Sequence, residues 1–91
     1  MGLVGKWYCL EINDENHQLV ISAWHVSEEL ALRKGQERRL FPKNPIKAFQ
    51  LGADPRILAD WFKKNGFSRN DAISQVNEVG RLIIETVNGR N

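Results

Sequence analysis

The chain has one cysteine, two histidines and no apolar run that approaches the roughly 20 residues needed to cross a bilayer. Without a second cysteine it has no internal disulfide, which fits a reducing compartment. The N-terminal segment 1–6 also lacks the apolar core of a signal peptide. We therefore expect a cytoplasmic protein that is neither exported nor embedded in a membrane.

The sequence also lacks motifs for catalysis or for cofactor binding. Cys9, His17 and His25 are its only thiol and imidazole groups, and a hairpin turning near Asp14 would point Cys9 toward neither histidine. A buried, structural cysteine is expected instead. Two histidines and one thiol, with no recognised ligand spacing, fall short of a zinc site, and the scattered glycines form no phosphate-binding loop. We expect no catalytic residue, no metal, no cofactor and no small-molecule substrate, and hence no enzyme.

What the sequence does contain is an uneven distribution of charge. Ten of the 13 lysines and arginines lie between Arg33 and Arg69, where Glu37, Asp54 and Asp60 are the only acids. This window therefore carries +7, while the rest of the chain, with three bases against eight acids, carries −5. Such segregation favours capture of a polyanion or docking on an acidic protein surface.

The basic part of this window is the predicted binding face. Phe41 and Phe49 are interleaved with its cations, and an exposed aromatic ring can stack on an unpaired base. The alternative is a solvated loop that the two rings anchor to the core. The cations that would neutralise phosphates or meet an acidic partner are Arg33, Lys34, Arg38, Arg39, Lys43, Lys47, Lys63 and Lys64.

Ninety-one residues predict a single compact domain over 1–91. Strand-forming residues over 3–12 and 19–25 flank a polar turn cluster and predict a β-hairpin. Residues 36–51 favour a third strand near 46–51, and the alternative is a long basic loop over the surface. The second strand begins with an apolar run on both of its sides, so it should be central in the sheet or covered on both faces.

Three helices are predicted, over 27–34, 54–65 and 68–87. Ser27, Asp54 and Ser68 each provide a side chain that can cap a first turn, while Gly35 and Gly66 are stop signals. The last two helices indicate a plain αα-hairpin or, alternatively, a helix-turn-helix that places its last helix in the major groove. The sequence therefore predicts an α+β fold, a small antiparallel sheet packed with a short helix and a C-terminal αα-hairpin.

The last helix has an unusually wide apolar surface. Its apolar sector contains Ala72, Ile73, Val76, Val79, Gly80, Ile83 and Val87, with Leu82 and Ile84 at its edges. The arc is about 200° wide, roughly twice what one core face requires. Either the helix is buried on two sides in one core, or part of the arc forms a homodimer or a partner interface. Leu82 and Ile84 are the interface candidates.

Two functions fit these features, and no family resemblance is specific enough to name. The first is a small regulatory binding module whose basic face engages nucleic acid or a nucleic-acid-handling complex. The second is a protein-interaction module, either an adaptor or a compact inhibitor of the kind that mobile elements encode. This second module would act through its acidic hairpin or through the apolar surface of the last helix.

Overall fold

The chain has the predicted α+β fold. The computed structural model describes residues 6–13, 15–39 and 43–88. Along these residues lie β1 (Trp7–Ile12), β2 (Leu19–His25), α1 (Glu28–Glu37), β3 (Ile46–Gln50), α2 (Pro55–Lys64) and α3 (Arg69–Asn88). The chain divides after Leu51 into two compact units, a sheet unit with α1 and a helical unit with α2 and α3. The expectation of one domain over 1–91 stays a prediction.

In the sheet, β1 is the central strand. The strand order is β2-β1-β3, and β1 runs antiparallel to both neighbours. The expectation that the strand beginning at Leu19 is central is therefore wrong, and its Val20 and Ile21 are only half-buried. The apolar pattern misled because β1 contains Glu11, a charged residue that is 1% exposed and is accommodated by hydrogen bonding. The predicted residues 3–5 of the first strand lie outside the described residues.

Gly35 lies inside α1 rather than at its end. The helix continues to Glu37, so the predicted stop at Gly35 is wrong. A Cβ built on Gly35 would overlap the Sγ of Cys9 and would lie 2.7 Å from its Cβ. Glycine is required here because α1 approaches β1 closely, and this approach leaves Cys9 with no exposed surface. The prediction of a buried cysteine is confirmed.

The helices of the helical unit begin and end close to their predicted positions. The Asp54 carboxylate accepts a hydrogen bond at 2.9 Å from the backbone N–H of Arg56, the second residue of α2. Gly66 follows this helix with a φ of 94°, a left-handed conformation that glycine adopts without strain. The hydroxyl of Ser68 accepts from the N–H of Asp71 at 3.1 Å and caps α3.

An aromatic cluster packs the end of α2 against the connection that leads to α3. Phe62 of α2 has no exposed surface, and its ring centroid lies 5.4 Å from those of Trp61 and Phe67. Ala72 and Val79, seven residues apart on α3, are also buried. The two helices pack as a hairpin-like pair, which confirms the αα-hairpin prediction.

Candidate interaction surfaces

Folding divides the basic window between the two units. Residues 1–51 contain seven bases and six acids, and residues 52–91 contain six bases and five acids, so each unit carries +1 by sequence. The +7 window is thus a property of the linear chain rather than of either unit. The net charge of a unit therefore gives neither unit a strongly positive surface by itself.

Three of the predicted cations form ion pairs with acids one turn away on their own helix. The pairs are Arg33–Glu29 at 3.1 Å, Lys34–Glu37 at 3.4 Å and Lys63–Asp60 at 3.5 Å. Exposed pairs of this kind stabilise the helix only weakly. Each of them nevertheless lowers the positive potential that its cation offers to a polyanion.

Arg38 and Arg39 bind the backbone of their own unit. The guanidinium of Arg38 donates to the carbonyl of Ser22 at 3.4 Å, and that of Arg39 donates to the carbonyl of Asn44 at 2.6 Å. The side chain of Asn44 in turn donates to the Glu11 carboxylate at 2.9 Å. Arg39, Asn44 and Glu11 therefore tie the segment before β3 to the end of α1 and to the central strand.

The remaining predicted cations are exposed, and none of them forms an ion pair with a described residue. They are Lys43, Lys47 and Lys64. Lys47 lies on the sheet face opposite α1, because its neighbour Ala48 pairs with Cys9 on the α1 side. Within the sheet unit the predicted cations are thus spread over α1, over the segment before β3 and over the far face of the sheet.

Of the two phenylalanines of the predicted binding face, Phe49 lies within the described residues. Phe49 is 2% exposed and its ring centroid lies 6.1 Å from that of Tyr8, so it anchors β3 in the core. A ring buried in this way presents no face to an unpaired base. Phe41 lies outside the described residues, as does Asp14 of the acidic hairpin. Glu15, next in that hairpin, is exposed.

Cys9 is poorly suited to nucleophilic chemistry. Burial raises the pKa of its thiol, and the hydrogen bond with Ser22 lowers that pKa only in part. The thiolate, which is the nucleophilic form, is therefore disfavoured at neutral pH. No group of three or more His, Cys, Asp or Glu that could hold a metal ion occurs in the described part of the chain. No described helix is both long and apolar enough to span a bilayer.

The wide apolar arc of α3 is only partly buried. Ala72 and Val79 are buried, whereas Ile73 and Ile84 are 52% and 63% exposed. With Asn77 and Gly80, which are exposed too, the two isoleucines occupy a sector roughly 60° wide along one side of the helix. We call these four residues, Ile73, Asn77, Gly80 and Ile84, the α3 stripe.

A groove of about 340 Å³ adjoins the N-terminal half of the α3 stripe. Its lining comes from both helices of the unit and consists of Pro55, Arg56, Ala59, Ile73, Val76 and Asn77. Ile73 and Asn77 belong to the stripe and to the groove, so the two form one continuous surface. Four of the six lining residues are apolar, and Arg56 and Asn77 lie among them as the polar members.

The two predicted interface residues lie on different sides of α3. Ile84 belongs to the stripe, whereas Leu82 is half-buried and lies about 160° around the helix from it. The sequence places Ile73 and Gly80 in the apolar sector without making them interface candidates, and it does not indicate Asn77 or the α2 residues that line the groove. Periodicity shows which residues share a sector, but not which sector α2 covers.

Comparison with known proteins gives no match. No protein-family model, no curated protein and no solved structure is similar to this chain.

Proposed function

We propose that this chain is a protein-interaction module, rather than an enzyme, and that it binds its partner through the α3 stripe and the adjoining groove. The observation that carries the proposal is the exposure of Ile73 and Ile84, at 52% and 63%, on one side of α3, where Ile73 also lines the mainly apolar groove. Burying apolar surface contributes about 25 cal/mol per Å². A contiguous apolar patch beside polar residues is typical of interfaces.

The polar residues beside the stripe favour a protein partner over nucleic acid. Arg81 bonds Glu78 at 2.6 Å and also bonds Glu85, so this side of α3 carries two acids and one base that is already engaged. Phosphate groups would meet net negative charge here, because the one cation is neutralised by its neighbours. A helix or a turn of another protein would meet both an apolar centre and a mixed polar rim.

A photo-cross-linking experiment in the cells that express the chain tests this proposal. Benzoylphenylalanine replaces Ile84 in one variant and Ile57 in the control, since Ile57 is an isoleucine of α2 that is also 52% exposed but lies outside the groove lining. We expect position 84 to give a protein adduct of discrete mass that disappears when Ile73→Asp is added. The same adducts at both positions, or none at position 84, would contradict the proposal.

A second candidate function is nucleic-acid binding through Lys43 and Lys47. Both are exposed, and neither is paired with an acid of the described chain. A salt titration with single-stranded and duplex oligonucleotides tests it. If these lysines bind phosphates, K43E/K47E should weaken binding and reduce the salt slope by about 2. Arg33→Glu, which alters a cation already paired with Glu29, should have less effect. No binding at low salt would exclude this candidate.

A further inference from the structure

The connection between α2 and α3 contains two residues that can react with each other. Asn65 is followed by Gly66, and the sequence has a second pair of this kind at Asn88 and Gly89. The backbone nitrogen of a residue that follows asparagine can attack the side-chain Cγ of that asparagine. Glycine has no side chain to hinder this attack, so an Asn-Gly pair is intrinsically prone to spontaneous deamidation.

The reaction consumes one water molecule and needs neither an oxidant nor a reductant. First, a bond forms between the backbone nitrogen of Gly66 and the Cγ of Asn65, and the bond from Cγ to Nδ2 breaks. The Nδ2 group leaves as ammonia with the proton that Gly66 loses, and a five-membered imide ring remains. Water then opens this ring at either of its two carbonyls, which gives aspartate or isoaspartate at position 65.

The backbone conformation of the folded connection prevents closure of this ring. The substituents of a tetrahedral Cα lie about 120° apart, so the ring closes only when the ψ angle of Asn65 is about −120°. In the structure this ψ angle is 24°. The nitrogen of Gly66 is thus rotated by about 140° from the position that the attack requires.

Hydrogen bonds hold both reacting groups in this unreactive arrangement. The Nδ2 of Asn65 donates to the carbonyl of Trp61 at 2.8 Å, which directs the side-chain amide back along α2. The backbone N–H of Gly66 donates to the carbonyl of Lys63 at 3.2 Å. This bond stabilises the protonated nitrogen, whereas the attacking form is the deprotonated one.

We propose that the Asn65-Gly66 pair is a latent modification site, which deamidates only when the connection between α2 and α3 opens. Opening has to break the hydrogen bond from the N–H of Phe67 to the carbonyl of Phe62 at 3.1 Å. It also separates the rings of these residues, whose centroids lie 5.4 Å apart. The proposal does not depend on the partner of the α3 stripe.

Deamidation makes such an opening irreversible. The new carboxylate no longer donates to the carbonyl of Trp61, and it places a negative charge at the C-terminal end of α2, where the helix dipole is also negative. In the isoaspartate product the backbone passes through the Cβ at position 65 and becomes one carbon longer. Phe67 then cannot return to its place against Phe62 with the same geometry.

Incubation of the purified full chain at mildly alkaline pH, in native buffer and in denaturing urea, tests the proposal. Peptide mass spectrometry detects the replacement of NH2 by OH at position 65, and an isoaspartate-specific methyltransferase labels the isoaspartate product. We expect position 65 to react at least about 100-fold more slowly in native buffer than in urea, because local opening costs free energy. Comparable rates in the two conditions would overturn the proposal.

The second Asn-Gly pair is the internal reference for the reaction in urea. Asn65 and Asn88 are both followed by glycine, so without a fold they should react at rates within about three-fold of each other. The product at position 88 shows that the conditions permit deamidation. If position 65 does not react in urea, it is not an intrinsic deamidation site and the proposal is wrong.

Two substitutions test whether opening of the connection controls the rate. Phe67 is buried against Phe62, so Phe67→Ala should open the connection and raise the native rate at position 65 by about ten-fold or more. The control Ile57→Ala truncates an exposed side chain of α2 and should leave this rate unchanged. A native rate that Phe67→Ala does not raise would contradict control by the opening.

Discussion

The glycine inside α1 and the glycine inside α3 have opposite surroundings. A side chain on Gly35 would collide with Cys9 of the central strand, whereas a side chain on Gly80 would enter open space. Both positions weaken a helix, but only the first is explained by a contact within the described chain. The glycine of α1 is thus accounted for by packing within the sheet unit, while the glycine of α3 is not accounted for by any contact of the described residues.

The same contrast holds for polar and aromatic groups. In the sheet unit, Glu11 and Asn44 bond each other at 2.9 Å while only 1% and 3% exposed, and Tyr8 packs between Trp24 and Phe49. In the helical unit the α3 stripe leaves two isoleucines in contact with water. Val26 of the sheet unit is also 64% exposed, so an exposed apolar side chain by itself does not distinguish the units; what distinguishes the helical unit is that two exposed isoleucines lie on one side of one helix.

The largest effect is expected at Gly35. Gly35→Ala places a Cβ 2.7 Å from the Cβ of Cys9 and into its sulfur, so α1 has to move away from the sheet. Such overpacking should lower the free energy of unfolding by about 2 to 3 kcal/mol, even though alanine favours the helix. Urea denaturation measures the change. An increase in stability would show that the close approach of α1 to β1 is wrong.

Tyr8 should make the sheet unit sensitive to alkaline pH. Burial raises the pKa of Tyr8 to about 12, while an unfolded chain loses this proton near pH 10. Since the unfolded state binds fewer protons between these values, stability falls as the pH rises, by about 2 kcal/mol at pH 11.5. Tyr8→Phe removes this part of the pH dependence.

Tyr8 is the only tyrosine of the chain, so tyrosinate absorbance reports its ionisation directly. The comparison of wild type and Tyr8→Phe at pH 9 and 11.5 cancels the lysines, which titrate in both. A tyrosinate midpoint near pH 10 in the folded protein would show that the Tyr8 hydroxyl reaches solvent.

Asn44 tests whether the polar bonds of the sheet unit are structural. Asn44→Ala removes the donor 2.9 Å from the buried Glu11 carboxylate and should cost about 1.5 kcal/mol of unfolding free energy. Asn77→Ala, which changes an exposed asparagine of the α3 stripe, is the matched control and should change the stability of the monomer little. Equal losses of unfolding free energy in Asn44→Ala and Asn77→Ala would contradict this difference between the units.

The parts of the fold that depend on nearby residues could be predicted from the sequence. Asp54, Gly66 and Ser68 act on backbone groups within a few positions, and the helix ends they indicate are those observed. The predicted stop at Gly35 and the predicted central position of the second strand are wrong because they depend on contacts of Gly35 with Cys9 and of Glu11 with Asn44, which are distant in sequence. The residues next to Gly35 and Glu11 in the sequence give no sign of those contacts.

In the candidate surfaces, too, contacts between residues close in sequence could be predicted, and contacts between distant residues could not. The pairing of Arg33 with Glu29 is visible as a spacing of four on a helix, but the hydrogen bond from Arg39 to Asn44 depends on how the chain returns toward β3. The arc of α3 was read correctly as too wide, yet only the position of α2 separates Ile84 from Leu82.

Gly80 gives the smallest effect and the sharpest comparison with Gly35. Because a Cβ meets no atom within 4 Å, Gly80→Ala should raise the free energy of unfolding by about 0.8 kcal/mol, the ordinary gain of alanine in an exposed helix. Urea denaturation at about 1 μM keeps the chain dilute, so that self-association adds little to the result. A lower free energy of unfolding for Gly35→Ala and a higher one for Gly80→Ala would support the contrast between the units. A lower free energy of unfolding for Gly80→Ala would mean that other residues of the chain pack against α3 at Gly80.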